Sequence, residues 1–136
     1  MGDRDVAKKK RDELLSMVIC GRSLRDWDAD WEAVKGGFAA DHNELVGVLG
    51  LARAVLNGKV MYILRAMEKR GLQKGLQRIR GKPQTGNAGF GAQKLREHMD
   101  VLELQILRVP ACKTSCIKEL KSRMIDLHQP EWDVPR

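Results

Sequence analysis

Arg70, Lys74, Arg78 and Lys82 recur at every fourth position of this chain. On a helix that spacing stacks side chains along one face. A row from Arg70 to Lys82 would be about 18 Å long at 1.5 Å of rise per residue. A nucleic-acid duplex carries one charge per about 1.7 Å of axis, so a cationic row of that length can neutralise several phosphates and release their counterions. Charged helix faces that are merely solvated carry interspersed Glu and Asp. Here Glu68 is the single acid between Arg53 and Lys82. The segment therefore reads as a polyanion contact, with Arg65, Lys69, Arg70, Lys74, Arg78, Arg80 and Lys82 as the binding residues.

The other suggestive spacings fail on chemistry. Cys112 and Cys116 lie four apart, with His128 twelve further on, but a Cys₂His set lacks a fourth ligand and fits no common zinc spacing. Asp26, Asp28 and Asp30 alternate as in a calcium loop. Trp31 stands where that loop needs Gly, and Gly37 where it needs a bidentate Glu. These acids are expected on the outer face of a tryptophan-bearing helix. The run Gly86-Asn87-Ala88-Gly89 has neither the Gly-Lys-Ser/Thr ending of a phosphate loop nor a dinucleotide-binding glycine pattern. It reads as a connector. His42, His98 and His128 fall on three separate predicted helices, and no Ser or Cys carries a nucleophile signature. No catalytic residue, metal or cofactor is assigned, and the chain is expected to be non-enzymatic.

The elements that would position the basic row come from hydrophobic periodicity. Leu14, Leu15, Val18 and Ile19 mark a helix from about Asp5 to Cys20, within a charged N-terminal stretch, residues 1–22, whose first turns fray. Ser23, with Asp26 three residues on, looks like an N-cap; Leu24, Trp27, Trp31, Val34 and Phe38 then keep a helical period. Leu45, Leu49, Ala52, Leu56, Val60, Ile63 and Met67 hold an a/d-like spacing across Asn57-Gly58, which predicts one long central helix. The phase changes at Gly71, where Leu72, Leu76 and Ile79 begin a new stripe. Residues 81–91, with four Gly and one Pro, read as a loop. Helices over Leu95–Val109 and Cys112–His128 follow, then an irregular tail, residues 129–136. No sustained period-2 alternation is found. The fold expected is all-α: a small bundle of about four to five helices with a long central helix, residues 1–136 forming a single helical domain. Trp27, Trp31, Leu45, Leu49, Leu56, Ile63 and Met67 are its expected core or the seam of a homodimer.

Composition bounds the function. The 136 residues are 43% hydrophobic and 32% charged, which suits a folded domain and not a disordered one. The net charge of +7 is concentrated: residues 42–82 carry nine basic and two acidic side chains, while both flanks are nearly neutral. Three cysteines at irregular spacing are no disulfide framework, so a reducing, intracellular site (cytoplasmic or nuclear, not secreted) is expected. No apolar run is long enough to span a membrane, and the basic face lacks the flanking Trp and Phe of an interfacial helix. Single-strand binders stack bases on aromatics, yet the basic block holds only Tyr62. What remains is sequence-independent contact with a duplex backbone, double-stranded RNA ahead of DNA. The architecture expected resembles the helical dimers that lie along duplex RNA in some small viral silencing suppressors, though no residue motif carries that likeness. The alternative is a helical adaptor whose basic surface meets an acidic protein.

Overall fold

The computed structural model describes residues 3–40, 42–66, 71–80, 90–109 and 114–133. From the N-terminus these form α1 (Asp3–Ser16), β1 (Val18–Ile19), β2 (Arg22–Ser23), α2 (Leu24–Asp28), β3 (Glu32–Ala33), β4 (Gly50–Leu56), β5 (Lys59–Ala66), α3 (Gly71–Arg80), α4 (Phe90–Glu97), β6 (Glu103–Arg108) and α5 (Thr114–His128). Short 3-10 turns occupy Gly37–Ala39, Asn43–Leu45 and Met99–Val101. The fold is a mixture of helix and sheet, and this overturns the all-α bundle.

The expected long central helix is a β-hairpin. Asn57 and Gly58 both adopt left-handed backbone angles, φ 51° and 80°, as a two-residue type I′ turn requires. β4 and β5 pair antiparallel around them, with Leu56 opposite Lys59 and Leu51 opposite Arg65. β6 pairs with the other side of β4, and β3 with β6, giving the order β3-β6-β4-β5, antiparallel throughout. β1 and β2 make a separate two-residue hairpin.

The hairpin imitated a helix because both faces of the sheet are covered. Along β4, Leu51 and Val55 point into one core and Ala52 and Ala54 into the other. A strand buried on both faces reads as a nearly continuous apolar run, and periodicity alone cannot separate such a run from a buried helix. Val55, Val60, Tyr62 and Ile63 supplied the β-branched and aromatic preference of strands.

The two cores define a three-layer arrangement. One face of the sheet packs Leu24 and Trp27 of α2 and Ile117, Leu120, Met124 and Leu127 of α5, with Leu14 and Leu15 of α1 at its margin. The other packs Leu72 and Leu76 of α3 and Leu95 of α4, together with Phe38, Leu45 and Trp132.

Other expectations shift accordingly. The tryptophan helix is cut to α2, where Ser23 does cap it by accepting the Asp26 N–H at 3.2 Å; the chain past Asp30 straightens into β3. The predicted Leu95–Val109 helix ends at Glu97, and its second half is β6. The expected loop over 81–91 gives way to helix at Phe90 and Gly91, and residues 81–89 lie outside the described residues. The heptad-like stripes at Leu45–Met67 and Leu95–Val109 were the ground for a helical homodimer and for the likeness to helical duplex-RNA binders. The first runs largely through β4 and β5, and the second breaks at Glu97 before β6, so that ground is gone.

Cysteine chemistry is corrected as well. Cys20, in the β1–β2 turn, and Cys116, in the first turn of α5, form a disulfide with Cα atoms 6.0 Å apart. Cys112 lies outside the described residues. Among the described residues no helix is long and apolar enough to cross a membrane, and no group of three His, Cys, Asp or Glu could hold a metal ion.

Candidate functional site

Alternation along a strand decides where each basic side chain goes. Arg53 shares its face of β4 with Leu51 and Val55, so it points inward beneath α2 and α5. There its Nε donates to Gln105 Oε1 at 2.7 Å, and its guanidinium lies 4.2 Å from the Trp31 ring centroid. Nη1 sits 3.6 Å from Asp28 Oδ1, and both side chains are well covered, at 13% and 20% exposure. Asp28 Oδ1 also accepts from His128 Nε2 at 2.7 Å and from Trp31 Nε1 at 3.1 Å. Gln105 in turn donates to Glu103. One connected polar cluster thus joins the end of α2, the centre of β4, β6 and the last residue of α5.

Its electrostatics follow from burial and pairing. Burial pushes the Asp28 carboxyl up, but the His128 hydrogen bond and charge, Arg53 and the Trp31 N–H outweigh it and hold the group below the usual carboxylate range. Burial lowers Arg53, against the opposing pull of Asp28 and Glu103. Among the described residues no hydroxyl or thiol is bonded to His128. What the arrangement does chemically is neutralise one interior cation and clamp four elements together.

Sequence reasoning missed this cluster. Its members lie up to 100 residues apart, and Asp28 had been assigned to an outer helix face. The three histidines also part company. His42 is buried, with Nε2 2.6 Å from the Gly37 carbonyl. His98 packs against Trp132, ring centroids 5.2 Å apart. His128 closes α5.

The second region is the basic segment itself. Residues 65–82 hold seven basic side chains against one acid, Glu68. Arg65 is exposed near the end of β5; it shares the face of Ile63, the side covered by α5. Lys74, Arg78 and Arg80 belong to α3, on the opposite side of the sheet. Lys69, Arg70 and Lys82 lie outside the described residues. The structure therefore puts Arg65 on one side of the β5 edge and α3 on the other.

α3 is seated firmly. Gly71 opens it with φ +63°, and a Cβ there would strike the carbonyl oxygen of Val48 and come within 2.6 Å of its nitrogen. The close approach lets Leu72 N–H donate to Val48 O at 2.7 Å. Leu72 and Leu76 are then buried in the core. At 100° per residue, positions 74 and 78 fall on the side of the helix away from those two leucines. The phase change at Gly71 marks this junction between strand and helix.

The residues expected to pack divide similarly. Trp27 is buried and donates from Nε1 to Ile19 O at 2.7 Å; Leu45 and Ile63 are fully buried. Trp31, Leu49 and Leu56 are half-buried, and Met67 lies outside the described residues. Comparison of the chain with protein-family models, with curated proteins and with solved structures finds no match.

Proposed function

We propose that this chain is a non-enzymatic nucleic-acid-binding protein that contacts the phosphate backbone of a duplex, double-stranded RNA ahead of DNA, through residues 65–82. The observation that carries this reading is the seating of α3. Leu72 and Leu76 anchor the helix to the sheet, and the segment around it holds seven cations and one acid. A firmly seated helix fixes the backbone of Lys74, Arg78 and Arg80, so presenting these cations to phosphates carries a small ordering cost.

Two cations drop out of the original basic block. Arg53 is compensated in the interior by Asp28, and Lys59 is paired with Glu131 at 3.6 Å. The remaining seven are the residues assigned to binding from the sequence.

The triple variant Arg70→Glu, Lys74→Glu and Arg78→Glu should weaken duplex binding at least about 100-fold, or about 2.7 kcal/mol, with an unchanged circular dichroism spectrum. Wild-type affinity should fall steeply with salt in a gel-shift series using duplex RNA, duplex DNA and single strands. Normal binding by the triple variant would refute the site. Absence of wild-type binding at moderate salt would leave an acidic protein as the partner of the same surface.

A nucleic-acid partner places the protein in the cytoplasm or nucleus. Disulfides are rare there, so this reading also requires the fold to survive with Cys20 and Cys116 as thiols.

A further inference from the structure

β5 is the last strand of its sheet, and an uncovered strand edge invites pairing with other chains. Here the end of the chain covers it. After α5, Pro130 is buried and the backbone turns tightly, with Asp133 N–H donating to Pro130 O at 3.2 Å. Trp132 N–H donates to Met61 O at 2.8 Å, and Asp133 Oδ2 accepts from Ile63 N–H at 2.8 Å. The segment thus wraps the edge, because α5 packs on one face of the sheet while Trp132 is buried in the core of the other.

The strap carries two carboxylates, and both are set against cations. Glu131 pairs with Lys59. Burial pushes Lys121 on α5 down; the Asp133 carboxylate opposes that and the Arg65 charge adds to it. Among the described residues, Arg65 makes no ion pair. Lys59 and Lys121 are therefore each set against one acid of the strap, and Arg65, whose charge acts on Lys121, is the cation in excess and the first residue of the basic segment.

We propose that Lys59, Arg65 and Lys121 form a second phosphate-contact surface along the β5 edge, adjoining the basic segment at Arg65, and that Glu131 and Asp133 are its internal occupant, carboxylates standing where backbone phosphates would bind. This rests on the duplex-binding reading and adds to it both contacts and a regulator. The polyanion must compete with the strap, so the resting protein is held below its full affinity.

The double variant Glu131→Gln, Asp133→Asn tests this. Both replacements keep their shape, and the new amide at position 133 retains an oxygen to accept the Ile63 N–H, so the fold is preserved. The variant should bind duplex about tenfold more tightly than wild type at equal salt. The control is Glu119→Gln, Asp126→Asn, which removes the same charge from exposed positions of α5 and should change affinity by less than about threefold. Duplex addition to wild type should also accelerate hydrogen exchange at the Ile63 amide as the strap gives way. Equal gains in the two double variants would overturn the strap proposal while leaving duplex binding intact. Binding by the Glu131/Asp133 variant but not by wild type would support it most strongly. If no chain binds duplex, the duplex reading falls and the strap proposal with it.

Discussion

The two faces of the sheet are held by different forces. On the side of α1, α2 and α5 the apolar core is reinforced by a disulfide from Cys20 to Cys116 and by the cluster of Asp28, Arg53, Gln105 and His128. On the side of α3 and α4, apolar packing and a close backbone contact at Gly71 do the fastening. On the first face Arg53 is matched by Asp28 and never reaches a partner. The second mounts α3 through Leu72, Leu76 and the close contact at Gly71, which leaves positions 74 and 78 on the side away from the core. The contrast teaches that charge along a chain is no measure of charge available for binding, because alternation along β4 turned one member of the basic block inward.

If the contrast is sound, perturbing each face should have separable consequences. The largest effect is expected from replacing Cys20 and Cys116 with Ser. The bond closes a loop with a sequence separation of 96, so its loss should lower unfolding free energy by about 4–5 kcal/mol on chain-entropy grounds. Urea unfolding of oxidised, reduced and Ser-substituted protein measures this. Duplex affinity of whatever remains folded should be unchanged, and a parallel fall in affinity would mean that the two faces are coupled.

Next comes Asp28→Ala, which leaves Arg53 as a largely covered cation without its carboxylate. Both partners are under a third exposed, so solvent screening does not erase the loss, which should be about 3 kcal/mol. A urea midpoint within error of wild type would show that the cluster contributes nothing and remove half of the comparison.

Gly71→Ala attacks the other face. A Cβ at φ +63° meets the Val48 backbone, which cannot yield as a side chain would. We expect a destabilisation of about 2 kcal/mol together with weaker duplex binding, because the mount of α3 shifts. Loss of stability with full affinity would detach α3 from the binding role.

The smallest effect is a change in pH dependence. The folded-state value of Asp28 lies below its ordinary one. Its contribution is therefore complete above the ordinary carboxylate range and is lost as pH falls through the depressed folded value. Asp28→Asn should be less stable than wild type at neutral pH, and the gap should narrow below about pH 4. Parallel pH–stability curves would assign the acid sensitivity to other groups.

How much was legible depended on whether a segment is buried on one face or two. α3, α5 and much of α1 were visible because each has one apolar stripe, and Ser23 was recognisable as a cap from its side chain and the acid at Asp26. β4, β5 and β6 were misread as helix because every position of a doubly covered strand can be apolar, so Ala52, Leu56, Val60 and Ile63 fell into a helical period by coincidence. Asn57-Gly58 held the contrary signal: an Asn-Gly pair inside a long helix is costly, and in a hairpin turn it is favoured. The interior cluster could not be found by spacing, since Asp28, Arg53 and His128 share no local motif, and the Cys20–Cys116 bond likewise joins residues that only packing brings together.

By itself the sequence determined the net positive charge, the concentration of its excess in residues 42–82 and the amphipathic character of α3, because these depend on residue types and local period. Only the tertiary structure decided which cations are spent in the interior, which face α3 occupies and what lies along the β5 edge. Pairing partners and strand sides are set by register between distant segments, and a one-residue change in register exchanges the two faces.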